Sequence, residues 1–266
     1  MFAGMFRRIL VAGAAAVGLG MGAAAMRPGD RPAPAAAAAA GGSVGSGFVV
    51  ARGAVVTTAH LARRCAGRLH AADGSTWRMQ ASDDALDLGL LTPVDGGATA
   101  SPLPLSAARH LRPGEPVLLL GYPHGADRPQ VSPGRIAGEG LTLRPADGRV
   151  AVLRLADAGG HPVPPRWRDG VAWAGGAAGG LRWALLVDAG SVPGASGGPA
   201  VDGAGGVVGV VFAGYPDGPT LLVPLADLTG FLGRQGVVPD FVAPPAAADW
   251  PAARAAAARA MLRLSC

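Results

Sequence analysis

Short apolar runs bounded by glycine, proline or aspartate recur along the chain from about residue 47 onward. Runs of about four to eight residues with such boundaries are typical of β-strands. The runs that predict strands are Gly47–Val50, Val55–Thr58, Thr76–Ala81, Leu88–Leu91, Val117–Leu120, Val131–Ile136, Val150–Leu155, Leu181–Val187, Val207–Phe212 and Leu221–Val223. Strands and helices do not alternate along the sequence, so we expect an all-β fold built from antiparallel barrels.

Two segments predict helices. The first is a short piece, Leu225–Leu232, and the second is the alanine-rich tail Ala246–Leu264. The last residues of that tail, Met261 to Leu264, also alternate in the manner of a strand. The 43 glycines and 24 prolines favour short strands and turns over long helices.

Residues 1–25 have the pattern of an export signal, because Arg7 and Arg8 precede a long apolar run that ends in small residues. An uncleaved membrane anchor fits the same pattern, since the run is near the shortest length that spans a bilayer. In both cases we expect the body of the protein to be periplasmic or secreted. Residues 26–42 are rich in proline, alanine and glycine and predict a linker.

The remaining chain predicts a globular body with a C-terminal extension. A seam near 107–115 divides this body into 43–110 and 111–242, and we expect the final segment, 243–266, to be helical. A chain of 266 residues is long enough for two subdomains that share one cleft.

The basic residues of the chain are scattered along the sequence. The chain contains no lysine, its formal net charge is +5, and its arginines never form a run of more than two. We therefore expect no nucleic-acid partner. Contact with a membrane is expected only if residues 1–25 remain as an anchor, and the oligomeric state stays open.

Two cysteines, Cys65 and Cys266, occur in a chain with an export pattern. An even number of cysteines in an exported protein favours a disulfide. We predict that the two are bonded, with two unpaired thiols as the alternative.

A glycine-rich turn around Ser196 predicts a nucleophile. The segment from Pro193 to Pro199 reads Pro-Gly-Ala-Ser-Gly-Gly-Pro. A nucleophilic serine needs a tight turn of this kind, because its hydroxyl must project while backbone N–H groups converge on the developing oxyanion. The N–H groups of Gly194 and Ser196 are the donors that we expect to form the oxyanion hole.

A nucleophilic serine also needs a base, and His60 is the best candidate among five histidines. His60 follows the apolar and threonine-rich run Val55–Thr58, which can hold it at a strand end. The other four histidines lie among arginine, glycine or proline and are expected to be solvated.

The base needs a buried carboxylate that fixes its tautomer. Asp87 leads directly into the apolar run Leu88–Leu91, which can carry it inward. Asp83 and Asp84 are expected to be turn residues. We therefore predict that His60, Asp87 and Ser196 form a catalytic triad.

These segments resemble the three active-site motifs of trypsin-like serine proteases in content, order and spread: Thr58-Ala59-His60, Asp87-Leu88-Gly89-Leu90-Leu91 and Gly194-Ala195-Ser196-Gly197-Gly198-Pro199. The resemblance implies two six-stranded antiparallel barrels, 43–110 and 111–242, with the triad in the cleft between them. It further implies a serine endopeptidase that cleaves polypeptides through an acyl-enzyme, with no cofactor and no metal.

The closer likeness is to the bacterial HtrA-type branch, without the PDZ domain that follows it there. Residues 120–125 and 187–194 are similar to two segments of that branch. Ala195 departs from the pattern, because the branch usually has asparagine at this position, and regulated assembly is therefore not carried over.

The resemblance also places a substrate pocket. In trypsin an acidic residue stands six positions before the serine and binds Arg or Lys, whereas here that position is Gly190. Val211, Phe212 and Ala213 would form a wall of the pocket. We expect a preference for small or medium apolar side chains.

Three other classes of protein compete with this interpretation. An α/β-hydrolase esterase would need its histidine after the serine, but no histidine occurs beyond His161. A metallohydrolase lacks support, because no His/Glu pair has helical ligand spacing and the chain contains only Glu115 and Glu139. A catalytically silent binding or scaffold protein of the cell envelope with the same fold remains the alternative.

Overall fold

A computed structural model describes residues 43–94, 100–108, 111–144, 151–153, 172–173, 180–190, 193–214, 218–244 and 246–266. The predicted export signal or anchor (1–25) and linker (26–42) lie outside the described residues. In chain order the described elements are β1 (Val44–Ala51), β2 (Ala54–Thr58), α1 (Ala59–Arg64), β3 (Arg68–Ala71), β4 (Thr76–Asp83), β5 (Leu88–Pro93), β6 (Leu105–Ser106), β7 (Pro116–Gly121), β8 (Gln130–Arg144), β9 (Ala151–Leu153), β10 (Ala172–Trp173), β11 (Gly180–Asp188), β12 (Pro199–Val201), β13 (Val207–Gly214), β14 (Thr220–Pro224), α2 (Leu225–Arg234), β15 (Phe241–Val242), α3 (Trp250–Ala260) and β16 (Met261–Ser265).

The first barrel closes in the order β1-β16-β3-β4-β5-β2, and its neighbouring strands are antiparallel. Its strands β1, β2 and β5 are buried on both faces. Val49, Val55 and Leu91 join the cluster around Trp77. Their neighbours along the same strands, which include Phe48, Val50, Val56, Leu88 and Leu90, join a second cluster with residues of the second barrel. The two-residue period of a strand thus supplies both cores.

The second barrel consists of β7, β8, β11, β14, β13 and β12, and it closes because β8 pairs with β11 while β12 pairs with β7. Its interior is a third apolar cluster that includes Val117, Leu119, Ile136, Val187 and Leu222. Two closed six-stranded antiparallel barrels confirm the expected all-β fold.

The C-terminal segment differs in part from the expected helix. Asp249 caps α3 by accepting a hydrogen bond from the Ala252 N–H at 3.0 Å, and the helix ends at Ala260. The chain then extends as β16, which lies between β1 and β3. The first barrel therefore needs a strand from outside 43–110, because β1 and β3 do not pair with each other and β16 bonds to both.

The same strand leads to the disulfide. Cys65, just after α1, is bonded to Cys266, with 5.1 Å between the two Cα atoms. The predicted pairing is present, and it ties the C-terminal strand to the barrel that the strand completes. Among the described residues, no helix has both the length and the apolar character needed to cross a bilayer.

Candidate active site

A buried aspartate binds a partly exposed histidine in the first barrel. Asp87 immediately precedes β5 and has a side chain with 0% exposure, whereas the side chain of His60 is 28% exposed. The two carboxylate oxygens accept different hydrogen bonds, Oδ2 from His60 Nδ1 at 2.8 Å and Oδ1 from the His60 backbone N–H at 2.9 Å. This double attachment fixes both the position of the histidine and the direction of its ring.

The backbone on both sides of this contact is constrained. Asp87 has a positive φ of 57°, which is uncommon for a residue other than glycine. Its carbonyl accepts the N–H of Ala59 at 3.1 Å, where β2 passes into α1. The turn into β5 therefore directs the carboxylate toward the beginning of α1, where His60 is the second residue. A neutral ring that donates from Nδ1 presents Nε2 as a free acceptor on its other side.

Ser196 lies in the turn that precedes β12 in the second barrel. Gly194 and Gly197 in this turn have φ values of 99° and 88°. A Cβ at Gly197 would overlap the backbone oxygen of Ser46, and one at Gly194 would overlap that of Tyr122. Both positions therefore require glycine, for conformation and for close approach.

Three N–H groups of this turn, those of Gly194, Ala195 and Ser196, have no protein acceptor within the described part of the chain. Gly194 and Ser196 are the donors that the sequence predicts for an oxyanion hole. The N–H of Gly197 donates instead to Val211 O at 2.8 Å. The N–H groups of Gly194 and Ser196 are thus left open to bind an acceptor on a substrate.

The turn packs directly against the first barrel near the histidine. The N–H of Ser46 in β1 donates to Ser196 O at 2.9 Å, and a Cβ at Gly197 would lie only 2.6 Å from Thr57 Oγ1 in β2. Thr57 precedes His60 by three residues. Within the described residues no hydrogen bond joins Ser196 Oγ to His60. Such bonds are often long in enzymes without substrate and shorten in the complex.

The predicted pocket residues lie in two environments. Gly190 and Val211 line one cavity of ≈ 30 Å³ together with Ala195 and Thr220. Phe212 is buried, and the guanidinium of Arg182 lies 3.6 Å from the centre of its ring. Phe212 and Ala213 do not line that cavity. The structure thus brings together two of the four residues.

The neighbouring aspartates have other partners. Asp83 ends β4 and accepts the N–H of Leu86 at 3.0 Å and a guanidinium N–H of Arg234 at 2.9 Å. Asp84 forms an ion pair with Arg63 on α1. The bond from Leu86 to Asp83 thus closes the turn that precedes Asp87.

Comparison with known proteins decides the family. Residues 45–210 match the model of the trypsin-like peptidase domain, a range that contains His60, Asp87 and Ser196. The chain belongs to the trypsin-like peptidase family. Its function is accordingly of the protease type, and a peptidase domain implies polypeptide substrates. No curated protein is significantly similar to this trypsin-like chain in sequence.

Solved structures of a bacterial protease are similar to this trypsin-like chain. The active form of the Rv3671c protease from M. tuberculosis has a TM-score of 0.50 and 22% sequence identity, over 74% of this chain and 75% of that one. An inactive form of the Rv3671c protease has a TM-score of 0.50 and 25% identity, over 73% of this chain and 84% of that one. The closer resemblance to the HtrA-type branch stays a prediction.

Sequence reasoning missed Ser46. Its side chain is fully buried between Tyr122, which follows β7, and the turn of residues 193–198, which is called the nucleophile turn below after the role predicted for Ser196. The available signal was a serine between two glycines, Gly45 and Gly47, at the beginning of an apolar run. A hydroxyl in a buried strand must find partners, but the sequence does not say which.

Proposed function

We propose that the protein is a serine endopeptidase in which Ser196, His60 and Asp87 form the catalytic triad. His60 Nε2 removes the proton from Ser196 Oγ as this oxygen attacks the substrate carbonyl. The protonated ring then gives the proton to the leaving amine, and a water molecule hydrolyses the acyl-enzyme by the same route. The observation that carries the proposal is the fully buried Asp87 carboxylate, which accepts both the ring and the backbone N–H of His60.

The open N–H groups of Gly194 and Ser196 support the same proposal. They would bind the negative oxygen that develops when Ser196 attacks. Removal of one such donor typically raises the barrier by about 2.7–4 kcal/mol, so the shape of the turn contributes to the rate beyond the hydroxyl itself.

A fluorophosphonate probe, which bonds covalently to activated serines, tests the proposal. We expect wild-type protein to be labelled and Ser196→Ala to be unlabelled, because the attacking oxygen is absent. Ser101→Ala, at an exposed serine outside the site, is the matched control and should be labelled at the wild-type rate. Absence of labelling in a folded, disulfide-bonded wild-type sample would contradict the proposal and favour the silent binding or scaffold protein.

We also propose that the residue before the cleaved bond is small or medium-sized and uncharged. Gly190 supplies no carboxylate at the position where trypsin has an acidic residue, and the cavity that it lines with Val211 is small. A peptide library should therefore be cut mainly after residues such as alanine or valine. A cleavage profile dominated by arginine or lysine would overturn this preference.

We further propose that the protein acts outside the cytoplasm, in the periplasm or as a secreted protein. Two features support export, namely the sequence pattern of residues 1–25 and the Cys65–Cys266 disulfide, since disulfides persist in oxidising compartments. Fractionation of the producing cells, followed by intact-mass measurement, tests this assignment. Full-length protein in the cytoplasmic fraction with reduced cysteines would contradict it.

A further inference from the structure

A buried serine of the first barrel reaches into the nucleophile turn of the second. The side chain of Ser46 has no exposure to solvent. Its Oγ donates to Gly194 O at 2.7 Å and accepts the N–H of Tyr122 at 2.9 Å. Its backbone N–H donates to Ser196 O at 2.9 Å, and its own carbonyl accepts Thr57 Oγ1 at 2.7 Å. Every polar group of this residue is therefore bonded, and two of the bonds reach the nucleophile turn.

Four carbonyls of the nucleophile turn are held by hydrogen bonds. Four consecutive residues, 193 to 196, each accept one hydrogen bond through the backbone oxygen. The pairs are His124 N–H with Pro193 O at 2.7 Å, Ser46 Oγ with Gly194 O, Gly198 N–H with Ala195 O at 3.0 Å, and Ser46 N–H with Ser196 O. Ser46 supplies two of these four donors.

Fixed carbonyls determine where the neighbouring N–H groups point. A trans peptide is planar, and its C=O and N–H point in opposite directions. Because Pro193 O and Ala195 O are held, the N–H groups of Gly194 and Ser196 have fixed directions. The plane that joins Gly194 to Ala195 lies between these two donors. A change in the backbone torsion on either side of this plane would turn one donor relative to the other, and glycine offers little resistance to such a change.

We propose that Ser46 is a positioning residue for the oxyanion hole. Its hydroxyl holds Gly194 O and with it the peptide plane between the two donors. Its backbone N–H holds Ser196 O. Since β1 belongs to the first barrel and the turn to the second, Ser46 also links the oxyanion hole to the barrel that carries His60 and Asp87. This role rests on the proposed function, because it concerns the site at which that function places the reaction.

The maximal rate of fluorophosphonate labelling tests the role, because the phosphoryl oxygen occupies the place of the oxyanion. Labelling is followed over a range of probe concentrations, which separates the maximal rate from the half-saturating concentration. In Ser46→Ala we expect the maximal rate to fall by about tenfold to a hundredfold. This loss is smaller than the loss of rate that removal of one whole donor typically causes. The half-saturating concentration should change by less than about threefold, because binding before reaction does not use these donors.

Ser106→Ala is the matched control. Ser106 is also buried in a strand, and its Oγ likewise accepts one backbone N–H, from Ala108 at 3.2 Å, and donates once, to Asp202 at 2.6 Å. Its loss should lower the melting temperature and leave the labelling rate per folded molecule unchanged. Equal maximal rates in Ser46→Ala and Ser106→Ala would overturn the role of Ser46.

Ser46→Thr separates the hydrogen bonds from packing, and it serves if Ser46→Ala does not fold. Threonine keeps the hydroxyl and adds a methyl group to a filled site, so we expect a lower melting temperature with a largely retained maximal rate. A maximal rate in Ser46→Thr that falls by about tenfold or more although the hydroxyl is kept would also overturn the proposal. Failure of the protease assignment gives a different result, because the wild type itself would then remain unlabelled.

Discussion

Two glycines with nearly the same φ have very different surroundings. Gly197 has a φ of 88° and Gly74 a φ of 86°, but a Cβ at Gly74 would meet no atom within 4 Å, whereas one at Gly197 would overlap the backbone of Ser46. The pair therefore separates conformational strain from steric overlap at the nucleophile turn.

We expect Gly74→Ala to cost about 1–2 kcal/mol, the usual penalty of the left-handed conformation. Gly197→Ala should cost about 1–3 kcal/mol more, because a filled site must also shift its backbone. The free energies of unfolding, measured by urea titration, check the difference. Equal costs would mean that the turn can move away from Ser46 without penalty.

The three proposed catalytic side chains should act as one unit. His60→Ala and Ser196→Ala are each expected to lower turnover by about 10⁶-fold, and the double variant should lose little more. Once either group is missing, the proton transfer that needs both no longer occurs. Kinetic measurement of the two single variants and the double variant checks this, and multiplicative losses would contradict the shared mechanism.

At the level of single residues, the sequence predicted what local context determines. Asp87 was distinguished from Asp83 and Asp84 by the apolar run that follows it, and it alone is fully buried against His60. The role of Ser46 could not be predicted, because its partners Tyr122 and Gly194 lie 76 and 148 positions away. Only the folded backbone shows which distant groups a hydroxyl meets.

At the scale of the elements, α2 carries a carboxyl group, that of Asp227, whose ionised form is disfavoured in the fold. Burial raises the pKa of Asp227 in the first turn of α2, while Arg182 opposes the rise and Asp83 adds to it. A raised pKa in the folded state means that the ionised form is the less stable one there. The stability that Asp227 contributes is therefore present at acid pH, where its carboxyl is protonated, and is lost as the pH rises through the raised pKa.

Asp227→Asn should test this directly, because asparagine resembles the protonated carboxyl. We expect the variant to unfold with a higher free energy than the wild type near neutral pH, and the gap to close toward about pH 4, the usual aspartate range. Urea titrations across this range measure the gap, with the exposed Asp240→Asn as the control. A gap that widens as the pH falls would contradict the direction of the shift.

The sequence predicted most strands that are buried on both faces. It predicted less well the elements whose structure depends on pairing with a strand far away in the sequence. Continuous apolar runs identified β2 and β5 within a few residues. The predicted tail helix extended beyond Ala260, because alanine and arginine favour a helix locally. The alternation from Met261 onward becomes a strand only because β1 and β3 offer edges to it.

For the whole molecule, the disulfide closes a loop of 201 positions. In the loop-entropy account a cross-link of this span stabilises the folded state by about 5 kcal/mol. The double variant Cys65→Ser, Cys266→Ser should lose a free energy of unfolding of that order, measured by guanidinium titration. Wild-type protein in reducing buffer should behave as the double variant does, and a loss below about 1 kcal/mol would contradict the account.

The order of strands in the first barrel has a consequence for synthesis of the chain. Strand β16 follows every strand of the second barrel along the chain but sits between β1 and β3. A polypeptide that emerges from its N-terminal end can complete the second barrel while the first still has an open seam. The barrel that holds His60 and Asp87 closes only when position 265 has emerged, so under the proposed function an incomplete chain should be inactive.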